Sequence, residues 1–168
     1  SSIPIELRDR YDIHVIPFWV QMGDETYRSG VDLDEATFFQ RLRADPDLSV
    51  STAVPPLHHF VELYRQLASW AEGIISVHIA GQQSGTCNTA RLAGRECSVP
   101  VIVIDSGSTA MAEGFIALEA ARAAAEGRTP SLAGPPERVA PRRREPRAAL
   151  GDRLFRAARL LARGFRDR

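Results

Sequence analysis

Along residues 1–127, short apolar β-branched runs alternate with amphipathic stretches; beyond that point the pattern breaks. Residues 5–10, following Pro4, suit a short helix. Residues 13–22 are apolar and rich in β-branched and aromatic side chains, which predicts a strand. Gly23-Asp24-Glu25 turns the chain, and residues 26–28 return as a short hairpin arm. Asp34 stands where a cap is needed for a helix over 35–43. After Pro55-Pro56, the apolar positions Phe60, Val61, Tyr64, Leu67 and Ala68 recur at helical spacing. Residues 74–79 form a continuous β-branched run, followed by a small polar loop and then a helix over 84–94 with Ser84 typed as its N-cap. Residues 99–104 repeat the strand pattern, and 109–126 form a long Ala-rich helix stopped by Gly127.

Continuous apolar strands separated by helices predict an α/β fold, a three-layer arrangement with a parallel sheet covered on both faces. Such sheets bind ligands beyond the carboxyl ends of their strands. By position that selects three loops, 51–55, 80–86 and 105–108, all rich in hydroxyls or small residues. The segment from Ile74 to Thr86 carries the most information. A buried strand, a tight turn and a helix start make an anion site out of free backbone amides. Gly85 would let a ligand approach the backbone closely. The segment has no Lys and no Gly-x-Gly-x-x-Gly, so it suits a small anion such as a carboxylate better than a nucleotide. An ordinary helix cap explains the same residues more blandly.

Composition changes this picture only at the end of the chain. The 168 residues fit one domain, or one domain and a tail, and carry zero net charge. All 21 basic residues are Arg, which suggests a GC-rich coding bias more than a function. Residues 1–127 hold nine Arg against seventeen acids, whereas 128–168 hold twelve Arg against four. Residues 128–147, crowded with Pro, Arg, Gly and Ser, are expected to be a disordered linker. Residues 148–168 show an apolar stripe through Leu150, Leu154, Ala157, Leu161 and Phe165 with Arg largely off it. That pattern suits a helix packed on the domain, a basic amphipathic helix touching a membrane or acidic partner, or out-of-frame coding. Cys87 and Cys97 have no metal-ligand spacing and are expected to be buried, reduced thiols of a cytoplasmic protein. No apolar stretch reaches membrane-spanning length, and neither a nucleic-acid partner nor a cofactor is expected.

The residues also resemble a family. Gly23-Asp24-Glu25-Thr26-Tyr27-Arg28-Ser29-Gly30-Val31-Asp32-Leu33 resembles the segment G-D-E-x-Y-R-D-G-V-D-L of DegV proteins. Ser51-Thr52-Ala53-Val54-Pro55 stands where that family has T-T-S-Q-P. The run from Ser76-Val77-His78-Ile79 to Ser84-Gly85-Thr86 is similar to its S-I-H-I-S-S-x-L-S-G-T-Y, and Asp105-Ser106 to Met111 to its D-S-x-x-x-S-M. The resemblance implies a DegV-type amino-terminal domain that binds a long-chain fatty acid, in several members as the binding subunit of bacterial fatty acid kinase. It assigns Thr52, Ser84 and the amide of Gly85 to the acyl carboxylate. The family's first strand, ending T-D-S-T-A-D-L-P, is represented here only by Ser1-Ser2-Ile3-Pro4. Its second domain, which closes over the acyl chain, has no counterpart after residue 127. Ala53, Val54 and Cys87 replace the family's Ser, Gln and Tyr. An incomplete domain with an unpaired sheet edge is therefore expected.

A second function class is a small-molecule enzyme of doubly wound fold using Ser84 or Asp105, with His78 the nearest base in sequence. His78 suits a packed strand histidine better. His58-His59 lack further ligands for a metal, and Asp24, Glu25, Asp32 and Asp34 have turn and cap spacing rather than that of a calcium loop.

Overall fold

The computed structural model describes residues 3–126 of the chain. The segments expected as linker (128–147) and basic helix (148–168), and the stop at Gly127, lie outside the described residues. The described elements run α1 (Ile5–Arg10), β1 (Trp19–Met22), β2 (Glu25–Arg28), α2 (Glu35–Ala44), β3 (Val50–Ala53), α3 (Leu57–Leu67), β4 (Ile74–His78), α4 (Thr86–Gly94), β5 (Val101–Asp105) and α5 (Met111–Ala125).

The fold is α/β, with the strands divided between two sheets. β4 and β5 pair in parallel, from Ile74 opposite Val101 to His78 opposite Asp105. β1 is the middle strand of an antiparallel sheet ordered β2-β1-β3. The turn chemistry dictates the β1–β2 pairing. Met22 faces Glu25 across a two-residue loop, and Gly23 supplies its positive φ of 60°.

Two expectations about strands need correction. Of the apolar run 13–22, only Trp19–Met22 pairs; residues 13–18 belong to no strand. Apolar character marks a run as able to pair, but not which part finds a ladder partner; none of residues 13–18 is fully buried. Residues 51–55, expected as a loop, begin inside β3, whose Thr52 pairs with Val20. All four β3 residues are exposed, so this edge strand carries no hydrophobic alternation by which sequence could betray it.

The larger core joins α3, α4 and the parallel pair. Phe60, Tyr64 and Leu67 lie at i, i+4 and i+7 on one face of α3 and meet Ala90 and Ala93 of α4, Ile74 and Val103. The two small Ala side chains let α4 approach closely, and burial of each large side chain contributes about 1.5–3 kcal/mol. Strand alternation turns Ile74, Ser76 and His78 to one face and leaves Ile75, Val77 and Ile79 on the other. α5 packs against β4. A second, smaller core gathers Val20, Met22 and Leu33, with Phe38 and Leu42 of α2 against it. The expected Asp34 cap is present, its carboxylate accepting from the Thr37 amide at 2.8 Å. Arg41 then ties α2 to the hairpin by donating to the Tyr27 hydroxyl and to Glu25.

One backbone position is strained. Ala110, immediately before α5, has φ 55° and ψ −139°, a region that essentially only glycine occupies. Such a residue costs about 1–3 kcal/mol, and glycine would give back roughly 0.5–1 kcal/mol in unfolded-chain entropy. Ala110→Gly is therefore expected to stabilise the protein by about 1 kcal/mol, a rise of roughly 2–4 °C in Tm by calorimetry. A lower Tm would show that the strain is not there.

Candidate functional site

The loops at the carboxyl ends of β4 and β5 are tied together by one side chain. Asp105, the last residue of β5, accepts the Gly81 amide through both carboxylate oxygens at 3.1 Å and the Gly107 amide at 2.9 Å. A Cβ at Gly81 would stand 2.5 Å from Asp105 Oδ2, so only glycine allows this approach. The Ala80 amide donates to the Ser108 carbonyl at 2.9 Å and completes the junction. The Gln83 and Ser84 amides donate back to the Ala80 carbonyl, turning the chain into α4.

The cap of α4 is not the expected one. Gly85 occupies the N-cap position, and Ser84 precedes it. The Ser84 hydroxyl lies 2.5 Å from Thr86 Oγ1 and accepts weakly from the Thr86 amide at 3.3 Å. The reason is that the Ala80 turn ends one residue later than a Ser84 cap would require. With φ −71°, Gly85 does not need glycine for its backbone, but its missing Cβ leaves open space, with Val54 Cγ2 the nearest heavy atom at 4.0 Å. Among the described residues the Gly85 amide has no hydrogen-bond partner.

Thr52, Ser84 and Gly85 all line one cleft of about 1170 Å³. Its walls are residues 10–18, the end of β3 with Val54 and Pro55, the whole of β4, and Glu113, Ala117, Ala120, Ala121 and Ala124 of α5. It follows β4 from Gly73 to Ile79, about 20 Å at strand rise. Ser84 and the Gly85 amide follow the carboxyl end of β4, and aliphatic and alanine side chains line most of the cleft. Asp105 is not on the cleft wall, and its carboxylate is committed to backbone amides.

On the cleft wall a largely buried polar chain runs through α3 and β4. The Tyr64 hydroxyl donates to Ser76 Oγ at 2.7 Å, and Ser76 Oγ lies 2.8 Å from His78 Nε2. With its acceptor site taken by Tyr64, Ser76 is free to donate to an unprotonated His78 Nε2. Burial, assisted by the positive charge of Arg91, lowers the His78 pKa to about 4. His78 is thus a packed strand histidine, as expected, and no hydrogen bond links it to Ser84. Cys87 is a buried free thiol pushed up to about 11 by burial. Its sulfur lies 3.8 Å from the Ile79 carbonyl and 4.0 Å from that of Ile104, seating the first turn of α4 on both strand ends. Among the described residues no group of His, Cys, Asp and Glu could hold a metal, and no helix is long and apolar enough to cross a membrane.

The profile of the DegV family of uncharacterised proteins matches residues 1–132. The chain belongs to the DegV family. A DegV domain-containing protein of Streptomyces coelicolor is 38% identical over 130 residues, 77% of this chain and 46% of that protein. A 15.5 kDa DegV domain-containing protein of Staphylococcus aureus is 33% identical over 115 residues, 68% of this chain and 81% of the relative. In three dimensions the chain is similar to DegV of Bacillus subtilis, described as a fatty acid binding protein, with TM-score 0.71 and 28% identity over 95% of this chain and 50% of that one. The chain thus spans about half the length of the Streptomyces and Bacillus proteins.

Residue reasoning missed part of the site. The cleft wall at 13–18 falls inside the run expected as a strand, and residues 10–12 carried no signal. Glu113 had a signal: it shares an i, i+4, i+7, i+11 stripe with Ala117, Ala120 and Ala124, so a carboxylate sits on the face otherwise turned to the cleft.

The neutral state of His78 has a consequence for stability. Its folded pKa lies below the ordinary 6.5, so the unfolded chain binds more protons between pH 6.5 and 4, and stability falls as pH falls through that window. The slope approaches about 1.4 kcal/mol per pH unit. His78→Gln is expected to lose less stability than the wild type between pH 7 and 4.5 in urea melts, and equal losses would overturn the assignment.

Proposed function

We propose that this chain is a non-enzymatic fatty acid binding domain that holds an acyl carboxylate at Thr52, Ser84 and the Gly85 amide. The single observation that carries this is the cleft. All three residues line one mostly apolar cleft that follows β4. The hydroxyls and the amide donate to the carboxylate, as the start of α4 favours negative charge. The tail lies against Ile75, Val77, Ile79 and the alanines of α5. Each buried methylene contributes about 0.8 kcal/mol, so the tail supplies most of the affinity and the head group sets orientation and specificity. The similarity to a DegV described as a fatty acid binding protein supports the same reading. Thr52 is exposed, which leaves a head group held there open to a second protein. The reading therefore extends to presentation of the carboxylate to a phosphorylating partner. The enzyme alternative is less well supported, because Ser84 has no hydrogen-bonded base among the described residues and Asp105 is a loop tie.

Native mass spectrometry of the purified chain should show a bound long-chain fatty acid. The double variant Thr52→Val with Ser84→Ala is expected to retain the acid roughly tenfold or more weakly. Each hydrogen bond lost to a charged group is worth about 1.5–3 kcal/mol. Equal lipid content in the double variant would reject the assignment of the head-group site.

A further inference from the structure

Glu113 is the one acid that α5 turns into the cleft. It lies in the first turn of the helix, half-buried, beside Ala110 and Gly114 and one turn before Ala117, all of them on the cleft wall. None of the described residues hydrogen-bonds its carboxyl. The α5 residues that line the cleft with Glu113, Gly114, Ala117, Ala120, Ala121 and Ala124, are all small and apolar. It is near enough to the start of α4 to act electrostatically on Cys87, the residue that follows Thr86. The loop that leads into α5 is the one bonded to Ala80 through Ser108, so the first turn of α5 and the Ser84 loop are held on a common frame.

We propose that Glu113 sets the affinity of the cleft for an anionic amphiphile, admitting it when the carboxyl is protonated and opposing it when the carboxyl is ionised. The proposal rests on the reading of the cleft as an acyl site. A neutral carboxyl adds no charge to the channel and offers a hydrogen-bond donor, whereas an ionised one places a second negative charge in the same poorly solvated space as the ligand head. Burial raises the Glu113 pKa to about 7, so the change of state falls near neutrality. The sign follows: affinity is high below that pH and declines as pH rises through it.

The other titratable groups around the cleft separate from this one. From β4 comes His78, held neutral by a pKa of about 4, and from α4 Cys87, held as a thiol by one of about 11, with Arg91 beside it. From α3 comes buried Tyr64, pushed higher by burial. Asp105, at the end of β5, bonds to the Gly81 and Gly107 amides. Arg10 ends α1, and Tyr11, Asp12 and His14 follow it, with His14 Nε2 3.1 Å from Asp12 Oδ1; Glu72 stands near the far end of β4. Of these, histidine is the residue type that ordinarily titrates near neutrality, so His14→Gln is one control. The amino-terminal ammonium also acts on Glu113, opposing the effect of burial, so an N-acetylated chain is the control beside His14→Gln.

The test is binding of hexadecyl sulfonate, whose head group does not titrate, to the full chain by calorimetry from pH 6 to 8.5, with palmitate alongside. The wild type is expected to bind the sulfonate about tenfold more weakly at pH 8.5 than at pH 6. Glu113→Gln should bind at both pH values as the wild type does at pH 6, and Glu113→Ala, a substitution matched to the Ala-rich helix, should also lose the slope. His14→Gln and the N-acetylated chain should keep it. A flat wild-type profile, a slope that survives both Glu113 variants, or one abolished by His14→Gln or by N-acetylation would overturn the proposal. Failure of either amphiphile to bind at any pH would instead reject the acyl site itself.

Discussion

The carboxylate of Asp105 holds together the loops at the carboxyl ends of the parallel strands. Two strands that pair in parallel end side by side, and the loops leaving them would diverge if nothing joined them. Asp105 accepts amides from both loops, and the absence of a side chain at Gly81 lets it come close enough to do so. Everything beyond depends on that junction. The turn at Ala80 begins there, Ser84 and Gly85 follow from the turn, and α4 and α5 both start within a few residues of it. An aspartate at the end of a strand invites an assignment as a catalytic acid. Here its oxygens are committed to amides, and its work is to shape the rim.

The cleft exists because the apolar segments do not all join one sheet. β1 leaves for the antiparallel sheet, and residues 13–18, equally apolar, remain as a wall opposite β4. Among the described residues β4 is paired on one side only, with β5. The α5 face toward it is built from alanines, which cover the strand without filling the space. Small residues thus have two uses in this chain. On α4 they bring the helix against the larger core, and on α5 they leave room.

Burial also decides the charge states around the cleft. His78 and Cys87 carry groups often used in catalysis, yet desolvation keeps one an uncharged imidazole and the other a thiol. Both have structural partners, the Ser76 hydroxyl in one case and the Ile79 and Ile104 carbonyls in the other. Neither is therefore a charged group at the cleft near neutral pH.

Much of the local structure was legible in the residues themselves. The β-branched run at 74–79, the Asp34 cap and the α3 stripe of Phe60, Tyr64 and Leu67 each follow from side-chain period or backbone chemistry, and the ordered motifs around Thr52, Ser84 and Asp105 pointed to the family. These are short-range properties, written within one turn or one strand. The pairing of β3, the retreat of residues 13–18 to a wall, the shift of the α4 cap to Gly85 and the meeting of Thr52 with Ser84 on one cleft were decided only in three dimensions. Each depends on a partner distant in sequence: an edge strand is defined by its neighbour, a cap by where the preceding turn ends, and a cleft by the segments that fail to pack together. Residue order specifies the elements because their hydrogen bonds and periodicities are local. The space between them is set by long-range packing, which no single stretch of the chain contains.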